Sequence, residues 1–84
     1  MRATVENVEI VSGRSLDSGW SRDMQVVTTD IGTYVDNIPG VRGKWRAPDF
    51  NKLIGQKIEF DLTNDGGYDV SYGYKGRTWI KLIN

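Results

Sequence analysis

The feature that most constrains the fold is the strict alternation of apolar and charged residues in segment 56–62, QKIEFDL. Ile58, Phe60 and Leu62 fall on one side of an extended chain, and the charged residues between them fall on the other. In a helix these side chains would point in several directions, because a helix repeats about every 3.6 residues rather than every two. The segment therefore predicts a β-strand with one buried and one solvated face.

Other segments predict short strands joined by tight turns, since the chain has ten glycines, two prolines and many β-branched and aromatic residues. Segment 4–12, TVENVEIVS, reads as the first strand. Its alternation slips, because Val5 and Val8 are three residues apart. A β-bulge near Glu6 and Asn7 would correct the phase.

Segment 20–38 predicts a hairpin in which two β-branched runs flank the turn TDIGT. Gly32 is available there for a positive φ. Val26 and Val27 compete for the inward-facing position, and the sequence leaves open which of them is buried.

Segment 48–55, PDFNKLIG, predicts one short helix. Pro48 suits its first turn, Asp49 complements the helix dipole, and Gly55 is placed to end it. The apolar stripe would consist of Phe50, Leu53 and Ile54.

The C-terminal part predicts two further strands, YDVSYGY at 68–74 and RTWIKLI at 77–83, after the turn TNDGG. In the last strand Thr78, Ile80 and Leu82 share an uncharged face, which is the expected core face. Trp79 would then stand on the opposite face between two cations.

These elements predict one all-β domain over residues 1–84, a closed or nearly closed barrel of five or six strands, because short strands need closure or protected edges. One short helix lies between the third and fourth strands. The order resembles the OB-fold over QVVTTDIGTYVDNIP, the helix PDFNKLIG and the strand QKIEFDL. An SH3-like barrel is the alternative, and the helix disfavours it.

Catalytic chemistry is not expected, because the chain has neither cysteine nor histidine. Thiol nucleophiles, most zinc sites and Ser-His-Asp catalysis are thereby excluded. No phosphate-binding loop or dinucleotide motif occurs, so no cofactor is expected. DLTNDG at 61–66 echoes the start of a calcium loop, but Tyr72 occupies the twelfth position and a hairpin turn explains the same residues. We therefore expect a non-enzyme without a metal.

The charge pattern is balanced overall and uneven locally. Eleven basic and eleven acidic residues give no net charge, so no general attraction to nucleic acid follows. Segments 40–46 and 75–81, however, each carry three cations and no acid. This separation predicts a local basic surface.

Each of the three tryptophans has a cation within two positions. Aromatic rings beside Arg and Lys are typical of proteins that stack on the bases of single-stranded nucleic acid. A structural Trp–Arg pair on the barrel surface explains the same pattern and stays open. In an OB-fold the ligand crosses strands two and three, so the resemblance implicates Trp20, Arg22, Tyr34 and residues near Tyr68. The predicted interface with single-stranded DNA or RNA consists of Trp20, Arg22, Tyr34, Arg42, Lys44, Trp45, Arg46, Lys75, Arg77 and Trp79.

Two other functions suit the same residues. Exposed Trp, Tyr and Arg also anchor protein interfaces, as in a small viral protein that binds a host or particle component. Open strand edges could instead pair copies of the chain. The N-terminus has no apolar signal-peptide region and no run is long enough to span a membrane, so a cytoplasmic protein without membrane partners is expected.

Overall fold

The computed structural model describes residues 1–15, 21–39, 47–63, 68–70, 75–76 and 79–83. Seven strands and one short 3-10 helix make up these residues, so the protein is all-β as predicted. The strands are β1 Arg2–Ser15, β2 Ser21–Thr29, β3 Gly32–Asn37, β4 Lys57–Thr63, β5 Tyr68–Val70, β6 Lys75–Gly76 and β7 Trp79–Leu82. The helix Phe50–Leu53 lies between β3 and β4.

Five strands form a strongly curled sheet in the order β1–β2–β3–β7–β4, and β4 pairs with β1 again. These pairings are antiparallel except that of β3 with β7, which consists of the single parallel pair Val35 and Trp79. Because β3 and β7 are joined by one residue pair only in the described part of the chain, the sheet is not closed into a barrel. The structure thus confirms an all-β domain with one short helix between the third and fourth strands, whereas the predicted closure into a barrel is not observed.

A two-stranded ribbon extends this sheet at the end of β1. Residues 13–15 of β1 pair with Tyr68–Val70 of β5, and β5 pairs with β6. β5 covers the first three residues of the strand predicted at 68–74; the next four lie outside the described residues.

The bulge predicted in the first strand is confirmed. The pairing of β1 with β2 shifts between Val5 and Asn7, which leaves Glu6 as the extra residue. Val5 and Val8 consequently both pack in the main core, although they are three residues apart.

The main core lies inside the curled sheet. The predicted inward positions Ile58, Phe60 and Ile80 are buried, and Leu82 packs against them. Leu62 was predicted to be buried and is 36% exposed, because β1 begins opposite Glu59 and Leu62 extends beyond it. The buried residues of this core are Ala3, Val5, Val27, Phe50, Ile58, Phe60 and Ile80.

The predicted helix is present as a single turn of 3-10 helix. The Asp49 side chain caps it by accepting a hydrogen bond from the Asn51 amide at 3.2 Å, and Gly55 follows its end with a φ of 87°. Phe50 is buried and Leu53 packs on the core, but Ile54 is 43% exposed. A 3-10 helix has about three residues per turn, so positions i and i+3 align while i+4 turns away.

A second apolar cluster lies on the opposite face of β1, β2 and β3. It consists of the buried side chains of Val11, Met24 and Val35, with the half-buried Val26 against them. Val27, one residue further along β2, belongs to the main core. The competition between Val26 and Val27 is therefore resolved in favour of Val27, while Val26 packs on the other side of the sheet.

Candidate nucleic-acid interface

Four of the ten predicted interface residues lie in the described part of the chain. Tyr34 is described with its side chain, and Arg22, Lys75 and Trp79 by the position of their backbone in the sheet. The other six lie outside the described residues: Trp20, Arg42, Lys44, Trp45, Arg46 and Arg77.

Arg22 and Lys75 lie in neighbouring rows of one region of the sheet. Arg22 of β2 pairs with Gly13 of β1, and Gly13 also pairs with Val70 of β5. Lys75 of β6 pairs with Asp69, the neighbour of Val70. Through these pairings the backbone of Lys75 lies near the end of β1. The same end of β1 pairs with Arg22 of β2.

Trp79 of β7 flanks β3, on the edge of the β2–β3 ladder that faces away from β1. It pairs with Val35 of β3, which pairs with Val26 of β2. Arg22 lies four residues from Val26 along β2. With about 3.3 Å per residue along a strand and about 4.8 Å between strands, the backbones of Arg22 and Trp79 are roughly 16 Å apart.

Tyr34 serves the core. Its ring centroid lies 5.6 Å from that of Phe60, with an angle of 57° between the planes, and the side chain is half-buried. Tilted aromatic pairs of this kind contribute about 0.5–1.5 kcal/mol beyond their buried area. Its contact with Phe60 neither supports nor opposes stacking on a nucleic-acid base, so that stacking stays a prediction.

Gly32 has a φ of 159°, a positive value as predicted for the hairpin turn and a backbone conformation that residues with a Cβ atom rarely adopt. A Cβ atom at this position would lie 3.0 Å from the Tyr34 hydroxyl and 3.2 Å from Cζ of its ring. Glycine is therefore favoured here by the space that the Tyr34 ring takes up. In the same turn the Thr29 hydroxyl accepts from the amides of Ile31 and Gly32 at 3.2 and 3.1 Å.

One fully buried polar side chain, that of Gln25 in β2, makes three hydrogen bonds to distant backbone groups. Its Nε2 donates hydrogen bonds to the carbonyl oxygens of Asn37 and Pro48, both at 2.8 Å. Its Oε1 accepts a hydrogen bond from the Phe50 amide at 3.0 Å. One side chain thus joins β2 to the end of β3 and to the start of the 3-10 helix.

These bonds hold Asn37 and Pro48, the bonded residues on either side of the basic segment 40–46, beside β2. Asn37 precedes that segment, and Pro48 follows it. Asn37 also pairs with Met24 of β2, and Pro48 is bonded to Gln25 of the same strand, so both residues lie beside the β2–β3 ladder. Trp79, Asn37 and Pro48 therefore all lie beside the β2–β3 ladder, and Arg22 lies two residues before its first pair.

Gln25 was not among the predicted residues. It shares the inward phase of Val27 and Thr29, and a polar side chain at such a position signals a buried hydrogen-bonding role. Asp36, its partner across the strands, is also buried, and Asp36 Oδ1 accepts a hydrogen bond from the Asn37 amide at 2.8 Å. Gln25, Asp36 and Asn37 therefore form a group of buried, hydrogen-bonded polar residues at the end of β3.

A separate surface cavity of about 240 Å³ is lined by Arg2, Lys57, Ile58 and Glu59. Arg2 and Glu59 approach to 3.9 Å with side chains 72% and 39% exposed, so their attraction is weak. Within the described residues no three potential metal-binding side chains come together, and no helix has the length and apolar character to cross a membrane.

Comparisons with protein-family models, with curated proteins and with solved structures gave no match. The function is therefore inferred from the residues and their positions in the sheet.

Proposed function

We propose that this domain is a non-catalytic cytoplasmic module that binds single-stranded DNA or RNA beside the β2–β3 ladder. One observation supports this proposal above the others: the backbones of Arg22 and Trp79, and the residues Asn37 and Pro48 on either side of segment 40–46, lie at or beside one ladder. These residues are far apart in the sequence, and one extended ligand crossing strands two and three, as in an OB-fold, could reach them together.

The chemistry divides between rings and cations. Trp20, Trp45 and Trp79 would stack on bases, each worth about 1–3 kcal/mol, and the Arg and Lys residues beside them would contact phosphates. Segment 40–46 supplies three of these cations without an acid. Because the net charge is zero, this local arrangement provides the attraction to phosphate.

Fluorescence anisotropy with labelled oligothymidylate and oligouridylate at low salt tests the proposal. We expect the logarithm of the association constant to fall linearly with the logarithm of the salt concentration, with a slope of about −0.7 for each phosphate contacted. Trp45→Ala and Trp79→Ala should each weaken binding by about tenfold, whereas the Phe variants should retain most of it. Absence of binding to both oligonucleotides at low salt would refute the proposal.

A charge exchange at described residues tests the location. Glu9 is exposed on β1 and pairs with Val26, in the row that contains Val35 and Trp79. Glu9→Gln removes a negative charge near the phosphate path, so it should tighten binding by about twofold at low salt. Glu6→Gln is the matched control, because Glu6 is exposed at the bulge of β1, three residues further from Gly13, which is the partner of Arg22. Equal effects of the two variants would place the nucleic acid elsewhere.

A protein partner is the second candidate, and the position of Ile10 favours it. This side chain is 57% exposed in the middle of β1, and its cross-strand partner is the buried Gln25. An apolar side chain on such a rigid strand can anchor a partner surface. A stoichiometric protein complex that survives nuclease treatment and is lost in Ile10→Asp would favour this function, as would its retention in Trp45→Ala and Trp79→Ala.

A further inference from the structure

We propose that the outer edge of β1 is a docking site for an extended peptide of a protein partner, with alternating aliphatic and basic residues. By the outer edge we mean segment 6–11 on the side that faces away from β2. The proposal rests on the protein-partner candidate, to which it gives a binding mode, and it is independent of nucleic-acid binding.

Two backbone contacts mark the ends of this edge. Val5 pairs with β2 on one side, and on the other its amide donates a hydrogen bond to the Gln56 carbonyl at 3.0 Å. Gly13 likewise pairs with β2 on one side and with Val70 of β5 on the other. Between these contacts no strand of the described residues pairs with segment 6–11 on its outer side. The edge is about 20 Å long, at about 3.3 Å per residue, which matches an extended peptide of about six residues.

Backbone groups on this edge supply the attraction. In an antiparallel pair, alternate residues of each strand direct their N–H and C=O groups toward the partner strand and away from it. Segment 6–11 therefore pairs with β2 and also presents donors and acceptors on its outer side. Edges of this kind accept an additional strand, and several peptide-recognition domains bind extended peptides in this way.

The side chains of the edge define which peptide fits. Ile10 is 57% exposed on the face that carries the main core, because its partner on β2 is the buried Gln25. Glu9 is exposed on the opposite face, where its partner is Val26. Glu6 and Glu9 are the only charged residues of segment 3–13. Since cross-strand neighbours share a face, the peptide should place an aliphatic residue beside Ile10 and a basic residue beside Glu9.

A second copy of β1 does not fit this edge. Gln56 and Val70 flank it on its outer side, and the same residues of a second copy would meet them before the two edges came together. Antiparallel pairing about a two-fold axis in the middle of the edge would also bring the Glu9 carboxylates of the two copies close, and like charges on neighbouring strands are destabilising. The geometry and the charge therefore favour one peptide of opposite charge.

Fluorescence anisotropy with a labelled hexapeptide of alternating valine and lysine tests the proposal. We expect one-to-one binding to the wild-type protein and no binding of the matched peptide of alternating valine and glutamate. N-methylation of every second amide removes the donors along one edge of the peptide and keeps its side chains. Two such peptides exist, and one of them should bind at least tenfold more weakly than the other, because only one peptide edge pairs with β1.

Three variants locate the bound peptide. Glu9→Gln should weaken peptide binding about threefold because it removes the opposite charge across the strands, whereas the same variant should tighten oligonucleotide binding. Ile10→Thr keeps a β-branched side chain, removes apolar area and should weaken peptide binding about fivefold. Asp61→Asn is the matched control and should have no effect. Asp61 is exposed on β4 beyond the start of β1, because Glu59 already pairs with Arg2.

Equal affinities for the lysine and glutamate peptides, equal affinities for the two N-methylated peptides, or equal effects of Glu9→Gln and Asp61→Asn would overturn the proposal. Dimers in light scattering that Ile10→Thr dissociates would assign the edge to a second copy and would overturn it as well. The comparisons among peptides use the wild-type protein, so they remain decisive if a variant does not fold. Peptide and oligonucleotide are titrated separately, so failure of one leaves the other proposal standing.

Discussion

Replacing Gln25 with methionine should lower the free energy of unfolding by about 3 kcal/mol. The two side chains have similar length, so the change removes hydrogen bonds without opening a large cavity. Three bonds of 2.8, 2.8 and 3.0 Å are lost. Each contributes about 0.5–1.5 kcal/mol, so the loss of all three costs about 3 kcal/mol.

Urea unfolding followed by circular dichroism measures this loss. A decrease of about 3 kcal/mol corresponds to a fall in Tm of roughly 12–24 °C for a domain of this size. Gln56→Met makes the same chemical change at an exposed side chain and should stay within about 0.5 kcal/mol of wild type. If Gln25→Met cost less than about 1 kcal/mol, the connection 38–49 would not depend on Gln25 and our reasoning would be refuted.

Three further substitutions test separate parts of the fold in the same unfolding assay. Gly55→Ala should cost about 1 kcal/mol from backbone strain alone, because φ is 87° and an added Cβ atom meets nothing within 4 Å; Gly55→Asn should cost less. Ile58→Ala should cost about 3 kcal/mol, whereas Leu62→Ala, with a side chain already 36% exposed, should cost about 1 kcal/mol; similar losses would contradict the observed burial. Arg2→Ala should change stability by less than about 0.5 kcal/mol, because its ion pair with Glu59 is exposed, and a larger loss would show that the pair is stronger than its geometry implies.

The parts of the fold that the sequence predicts are those that depend on local patterns. The strand Lys57–Thr63 follows from alternation, and the bulge at Glu6 follows from a slip of one residue in that alternation. The hairpin of β2 and β3 follows from two β-branched runs around a turn. In each case neighbouring residues contain the whole signal.

The parts that the sequence did not predict depend on pairing between distant strands. Leu62 has the same local pattern as Phe60, and only the starting point of β1 explains why it is exposed. The 3-10 helix differs from an α-helix in the direction of Ile54, which local propensity does not determine. The second cluster around Met24 arises because both faces of β2 pack against apolar side chains.

The candidate site divides in the same way. The residue types were recognisable in the sequence, since cations surround Trp45 and flank Trp79. The placement of the neighbouring residues was not, because Gln25 holds Asn37 and Pro48, on either side of segment 40–46, beside β2. Gln25, a polar residue at an inward-facing position of β2, carried that information, and these partners lie 12 and 23 residues away.

The most direct measurement of the central claim is an amide NMR titration of the ¹⁵N-labelled protein with a short oligothymidylate. We predict that the three tryptophan indole signals and the backbone amides of Arg22, Asn37 and Trp79 shift together, with one affinity that weakens as salt is added. Shifts confined to Arg2, Lys57 and the outer face of β4, or indole signals that do not move at saturating oligonucleotide, would contradict a nucleic-acid site at the β2–β3 ladder.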